Sequence, residues 1–268
     1  MLTINKELSI AIGASLAAGE VIMEVYDTAF DVVYKEDESP LTEADERANA
    51  IISDHLSQLD IPVISEESKQ IDYEERRHWN QCWVVDPVDG TKEFIKRNGE
   101  FTVNIAMVVD GKPLLGIIYV PVTKTLYVAD VIQDSAFKAD LESHQSTIQD
   151  VIEKAEPLQP LDSGDKLVHV VGSRSHMNSE TMEFVDALKK EGKQVEIVSR
   201  GSSLKFCLVA EGKANVYPRF APTMEWDTAA GQAICNAVGV EVISQETNKP
   251  LLYNKKNLLN PWFLVSKK

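Results

Sequence analysis

Apolar residues first recur at helical spacing, at Leu8, Ile12, Leu16 and Ile22, and predict a long N-terminal helix. A second helix is predicted over residues 42–58, with Ala44, Ala48, Ile51, Ile52 and Leu56 as its buried stripe. The pattern then shortens to β-like runs at 61–64, 83–85 and 101–109. In the last run Phe101, Val103, Ile105, Met107 and Val109 share one face. Asp110-Gly111 is a hairpin signal before a strand at 115–120, and 125–129 reads as another strand of the same antiparallel sheet. Residues 133–166 are polar, acidic and weakly periodic, the expected place for a lobe boundary or a variable excursion. Beyond them strand and helix signals alternate, at 167–171, 179–190, 194–198, 202–211, 214–217, 226–238 and 240–243. Mixed sheets layered with helices are the architecture this order predicts.

Composition is that of a folded chain, 44% hydrophobic and 26% charged over 268 residues. Cys82, Cys207 and Cys235 are far apart and have no His cluster beside them, which argues against structural zinc or a disulfide framework. The opening MLTINKELSI lacks the basic and apolar regions of a secretory signal. No apolar run approaches the ~18–20 residues of a membrane span. The sequence therefore reads as cytoplasmic, with peripheral attachment to the inner face of the membrane and the oligomeric state left open. A formal net charge of −15 is ill suited to nucleic acid, whose affinity comes from Lys and Arg on phosphates. If the ligand is a small polyanion, bound divalent cations must mediate the contact.

The segment Trp83-Val84-Val85-Asp86-Pro87-Val88-Asp89-Gly90-Thr91 supplies candidate ligands. A strand is expected to end at Val85, because Pro87 cannot continue the ladder, and Gly90 permits a tight turn. Two carboxylates converging there repel one another, and a cation is the usual compensation. Oxygen donors without His or Cys point to Mg²⁺. An Asp-Pro turn explains this segment equally well when it is taken alone. Glu66 and Glu67 follow another strand end. Asp227 opens a predicted helix, where it could equally be a cap, and Thr42 with Asp45 matches a capping box.

Taken in order, LTEAD at 41–45, EES at 66–68, DPVDGT at 86–91 and WDTAAG at 226–231 resemble the inositol monophosphatase superfamily of lithium-sensitive Mg²⁺ phosphatases. Residues 89–104, 173–176, 201–207 and 217–220 resemble its bacterial 3′(2′),5′-bisphosphate nucleotidase branch. The resemblance implies an α+β fold, a layered αβαβα sandwich with mixed sheets of the inositol monophosphatase/fructose-1,6-bisphosphatase type. It implies one phosphatase domain over 1–268, with lobes of about 1–160 and 161–268. It further implies Mg²⁺-dependent removal of the 3′-phosphate of 3′-phosphoadenosine 5′-phosphate, a recycling step of sulfur assimilation, with no covalent intermediate.

On this resemblance Glu66, Asp86 and the carbonyl of Val88 hold one Mg²⁺, and Asp86, Asp89 and Asp227 a second. Two or three ions bring roughly +4 to +6 against about −4 from the carboxylates, so the loaded site accepts phosphate. Thr91 and Asp45 form the pair that orients the attacking water. The substrate set is Glu66, Val88, Asp89, Gly90, Thr91 and Asp227 about the cleaved phosphate, with Ser173, His176, Gly201, Ser202 and Lys205 about the rest. Arg174 and Arg219 are further candidates for the 5′-phosphate. The amides of residues 201–203, at a predicted helix start, suit an anion. Two alternatives remain: a sugar or inositol phosphatase of the same superfamily, and a non-catalytic nucleotide sensor. The SRSH and GSSLKF segments weigh against the first, and the intact Asp45–Thr91 pair against the second.

Overall fold

The N-terminal helix α1 (Lys6–Tyr26) starts at Asn5, whose side chain accepts the Leu8 amide at 2.8 Å. The computed structural model describes residues 4–29, 32–34, 40–162, 166–172 and 178–267. Leu8, Ile12, Leu16 and Ile22 are buried as the spacing predicts. Contrary to the reading of the sequence above, α1 is long and apolar enough to cross a membrane by length and composition. More than half of that apolar window is buried inside the fold, so α1 is built as a core helix. A hairpin of β1 (Val32–Tyr34) and β2 (Pro40–Thr42) leads into α2 (Glu43–Leu56), which packs along α1. Ile51 lies at the edge of the α2 stripe and is half-buried.

A seven-stranded sheet follows in the order β3 (Val63–Ser65), β4 (Gln81–Asp89), β5 (Thr102–Val109), β6 (Lys112–Val120), β7 (Thr125–Asp130), β8 (Ser135–Asp140) and β9 (Ala155–Pro157). β3 and β4 are parallel and the remaining pairs antiparallel. Asp110 and Gly111, both at positive φ, make the β5–β6 turn that the sequence announces. The short helices α3 (Tyr73–Arg76), α4 (Thr91–Ile95) and α5 (Ile148–Glu153) lie in the connections. The stretch over 133–166 is therefore not simply an excursion: β8, α5 and β9 continue the sheet to residue 157. Only the narrow stripe Ala136, Phe137 and Ala139 is buried on β8, too little apolar pattern to stand out among acidic neighbours.

The second sheet has the order β11-β10-β12-β14-β13, from β10 (Leu167–Gly172), β11 (Gln194–Ser199), β12 (Val216–Arg219), β13 (Val240–Ser244) and β14 (Phe263–Lys267). The terminal strand β14 lies beyond the last element expected from the pattern. Helices α6 (Ser179–Lys190), α7 (Leu204–Ala210) and α8 (Glu225–Asn236) complete this part. α1 and α2 cover one face of the larger sheet; α8 covers the other and also meets β13, while α7 packs on β12 and β14 and α6 lies against β11 and β12. The result is the layered αβαβα sandwich with mixed sheets. α8 approaches very closely: a Cβ on Gly116 of β6 would stand 2.6 Å from the Ala230 carbonyl oxygen. α8, in contact with β4, β5 and β6, is thereby set close against the sheet.

Candidate active site

On a regular strand, residues three apart face opposite sides. In β4, Asp86 pairs with Asn104 and Asp89 with Thr102, so three steps on β4 match two on β5. This one-residue bulge turns both carboxylates to the same face. β4 therefore does not stop at Val85; the bulge accommodates Pro87, which has no N–H to give to the ladder. Gly90 follows at φ +93°, and a Cβ there would lie 2.1 Å from Ser202 Oγ. Only glycine fits both demands.

Glu66 comes one residue after β3, beside the point where Asp86 leaves Val85, and its amide donates to the Val85 carbonyl at 3.2 Å. Asp227 comes from the first turn of α8. Carboxylate oxygens of Glu66, Asp86 and Asp227 lie within 4.8 Å of one another. Glu67 is not part of this group. Burial pushes the Asp86 carboxyl well above the usual carboxylate range, and Glu66, Asp89, Asp227 and Asp45 push it further. Burial and then Asp89 raise Asp227 to about 7, against a stabilising bond from the Met224 amide. Five acids thus share one electrostatic neighbourhood, with oxygen donors only. That donor set fits a hard divalent cation, which relieves the repulsion directly. Glu66, Asp86 and Asp227 are the residues placed to hold it, with Asp89 and the Val88 carbonyl adjoining. The structure groups Glu66 with Asp227, residues that the resemblance assigns to different ions.

Four of the acids also have one oxygen tied to the protein. Asp86 Oδ1 accepts the Val88 amide at 3.1 Å, and Asp227 Oδ2 the Met224 amide at 2.8 Å. Asp89 Oδ2 accepts the Ser203 amide at 2.6 Å, and Asp45 Oδ2 the Thr42 amide at 2.8 Å. Asp45 closes the capping box with Thr42 as read, whereas Asp227 is not the N-cap of α8 but its third residue, bonding back to the N-cap amide of Met224; both roles are compatible with a place in the site. The cap fixes the rotamer.

Thr91, at the start of α4, sits with its hydroxyl 3.4 Å from Asp45 Oδ1 and 3.4 Å from the Val88 carbonyl. The expected pair is assembled from α2 and α4, 46 residues apart in sequence. Cys82 is buried, and burial with Glu225 pushes its thiol up to about 12, so it offers no thiolate nucleophile.

The anion site expected of the 201–203 amides takes a different form. The Gly201 amide donates to Glu100 Oε2 at 2.8 Å, and Ser203's to Asp89. Ser202 Oγ lies 2.8 Å from the Asp89 carbonyl and 2.6 Å from that of Glu100. This turn serves to hold the 89–100 loop against α7. Cationic groups stand next to it. Lys205 Nζ donates to the Ser202 carbonyl at 2.8 Å, and burial lowers its pKa despite nearby Asp89. Arg219 donates from Nη2 to the Pro222 carbonyl at 3.0 Å, while its Nε is buried with no partner. Lys205, Arg219, Asp89 and Asp227 line one cleft of about 200 Å³. Ser173, Arg174 and His176 lie outside the described residues.

A model of the inositol monophosphatase family matches residues 4–263. The chain belongs to the inositol monophosphatase family. Within it, the chain is 47% identical to the 3′(2′),5′-bisphosphate nucleotidase CysQ of Escherichia coli O157:H7, over 93% of this chain and 95% of the relative. CysQ of Haemophilus influenzae is 32% identical over 99% of this chain and 94% of its own. The crystal structure of Bacteroides thetaiotaomicron CysQ superposes with a TM-score of 0.85 at 51% identity, covering 96% of both chains. The protein SuhB of Bartonella henselae shares the fold at 20% identity, with a TM-score of 0.75 over 98% of this chain and 94% of its own.

Two side chains in this family member's site, Thr102 and Asn104, escaped the sequence reading as functional groups, and Ser203, expected to bind an anion, instead bonds Asp89. Asn104 Nδ2 reaches Ser203 Oγ at 2.9 Å and Asp89 Oδ2 at 3.3 Å, and Thr102 Oγ1 donates to Asn104 Oδ1 at 3.0 Å. All three are buried. Two polar residues at i and i+2 in an otherwise apolar strand were the available signal, since buried polar groups need partners. For Ser203 the helix-start signal was read, but toward a bound anion rather than toward Asp89.

Proposed function

We propose that this protein is a Mg²⁺-dependent 3′(2′),5′-bisphosphate nucleotidase that releases the 3′-phosphate of 3′-phosphoadenosine 5′-phosphate, leaving AMP. The observation that carries this reading is the meeting of Glu66, Asp86 and Asp227 within 4.8 Å, beside the Asp45–Thr91 pair and a cleft lined by Lys205 and Arg219. Relatives named as 3′(2′),5′-bisphosphate nucleotidases at 46–47% identity support the choice of substrate. Glu66, Asp86, Asp89, Asp227 and the Val88 carbonyl hold the cations, two or three in number. When bound, these ions neutralise phosphate charge and acidify water.

The chain's own groups do the rest. Thr42 locks Asp45 through two contacts, from its amide at 2.8 Å and its hydroxyl at 2.6 Å. Asp45 in turn takes the Thr91 proton, so the Thr91 oxygen presents a lone pair to the attacking water. Lys205, and Arg219 through its unpartnered Nε, bind the phosphate that is kept, in charge-assisted hydrogen bonds. Because two anionic groups need two different sites, a bisphosphate fits better than a monoester. The inhibition by Li⁺ implied by the family resemblance belongs to the same reading.

The test is phosphate release from 3′-phosphoadenosine 5′-phosphate and from inositol 1-phosphate, each with Mg²⁺ and with excess EDTA. Release from the nucleotide alone, abolished by EDTA, is expected. Preference for inositol 1-phosphate contradicts the substrate, and turnover in EDTA contradicts the metal.

A further inference from the structure

We infer that Ser203 is a positioning residue: its amide and hydroxyl fix Asp89 and join it to the helix that carries Asp227, and so set the affinity of the carboxylate site for Mg²⁺. The inference rests on the reading of that cluster as a metal site. Ser203 Oγ lies 2.7 Å from Asp89 Oδ2 and 2.8 Å from the Asp227 carbonyl oxygen, while its amide donates to Asp89 Oδ2 at 2.6 Å. The hydroxyl accepts from Asn104 Nδ2 at 2.9 Å and has one hydrogen to give, to Asp89 Oδ2 or to the Asp227 carbonyl, while the amide holds Asp89 in either case. Thr102 holds the Asn104 amide with its Nδ2 toward Ser203 by donating to Asn104 Oδ1. The result is a buried network that reaches from β5 through Ser203 to both β4 and α8.

The consequence concerns which oxygen of Asp89 serves which purpose. Oδ2 is occupied by Ser203 and Asn104, so Asp89 can turn toward a cation only through Oδ1. A carboxylate whose rotamer is fixed this way loses little freedom on binding an ion, and outer partners of this kind typically tune metal affinity by 10–100-fold. Ser203 also stands two residues before Lys205, whose Nζ bonds the neighbouring Ser202 carbonyl. The turn that holds Asp89 thus also carries Lys205 of the cationic half of the cleft.

The experiment is calorimetric titration of the full chain with MgCl₂, without substrate, for wild type, Ser203→Ala and Ser244→Ala. Ser244 is a buried serine whose hydroxyl accepts the Glu246 and Thr247 amides, remote from the site, and serves as the stability control. Ser203→Ala is expected to weaken Mg²⁺ binding about tenfold, the scale of one charge-assisted hydrogen bond. Its turnover should fall at limiting Mg²⁺ and recover in part as Mg²⁺ is raised, so that the apparent Mg²⁺ requirement shifts upward. Ser244→Ala should lower the melting temperature and leave Mg²⁺ affinity alone. Affinity within twofold of wild type in Ser203→Ala, or equal weakening in both variants, overturns the inference. A wild type that takes up no Mg²⁺ overturns the metal reading beneath it, and the two failures are distinct.

Discussion

At the end of β4 and the start of α8, acids are buried beside one another; in the same cleft Lys205 and Arg219 stand beside Asp89, Glu93 and Asp227. The physics is the same with the sign reversed. Burial and neighbouring carboxylates raise Asp86 and Asp227, and burial, with Arg219 adding to it, lowers Lys205. Burial disfavours charge on Asp86, Asp227 and Lys205 alike, and a bound ion of opposite sign relieves it. The lesson is how a chain with a net charge of −15 could receive a polyanion: by dividing the work. In the function proposed above, cations on the acidic half would take one phosphate, and Lys205 and Arg219 the second. A sulfate-sized anion alone needs only one of these halves, whereas a bisphosphate needs both.

Breaking the acidic half should have the largest effect. Asp89→Asn is nearly isosteric and keeps an oxygen for Ser203, but it removes a full ligand charge. Several kcal/mol of metal-derived stabilisation are at stake, so kcat/KM for 3′-phosphoadenosine 5′-phosphate should fall roughly 10³-fold or more. Circular dichroism should show an unchanged fold. Near-normal turnover at modest Mg²⁺ would remove Asp89 from the ligand set.

Thr91→Val keeps shape and deletes the hydroxyl between Asp45 and the water. Loss of a general-base relay costs about 10² to 10⁴ in kcat. Mg²⁺ affinity should hardly change, because Thr91 is not one of the acids. A parallel loss of both would make Thr91 a support of the metal site.

A smaller effect sharpens the comparison without mutation. In metal-free protein Asp227 titrates near 7 when folded and near 3.8 when unfolded, so the folded state binds its proton more tightly. Stability then rises as pH falls from above 7 toward 4, and is lost as pH rises through 7. Differential scanning fluorimetry in EDTA should therefore give a higher melting temperature at pH 6 than at pH 8.5. Mg²⁺ at about 100 times its Kd should add several degrees at pH 8.5 and flatten the trend, since about 2.7 kcal/mol of linkage is available. No gain with Mg²⁺ at pH 8.5 would contradict relief of repulsion as the source.

How much of this was legible in the sequence varies with the physical signal. The helix stripes, the Asp110-Gly111 turn and the acids of the DPVDGT segment follow from local rules and were readable. The bulge at Pro87 was not, because proline reads as a stop and the register of Asp86 against Asn104 is a property of the partner strand. The amides at 201 and 203 looked like an anion site because their carboxylate partners, Glu100 and Asp89, are about a hundred residues away. α1 was passed over as a membrane-length segment since its small residues, Ala11, Ala14 and Ala18, look unremarkable singly and matter only as a packed face. Long-range pairing, not local pattern, decided each of these.

The account turns on the division of labour between the two halves, and kcat/KM for 3′-phosphoadenosine 5′-phosphate and for 3′-AMP, in wild type and Lys205→Ala, tests it most directly. One charge-assisted hydrogen bond is worth about 1.5–3 kcal/mol, or roughly 10- to 100-fold. Lys205→Ala should lose about that factor on the bisphosphate and much less on 3′-AMP, so that the preference for the second phosphate narrows. Equal losses on both substrates would contradict the division, placing Lys205 in support of the turn at Ser202 and leaving the retained phosphate to other residues.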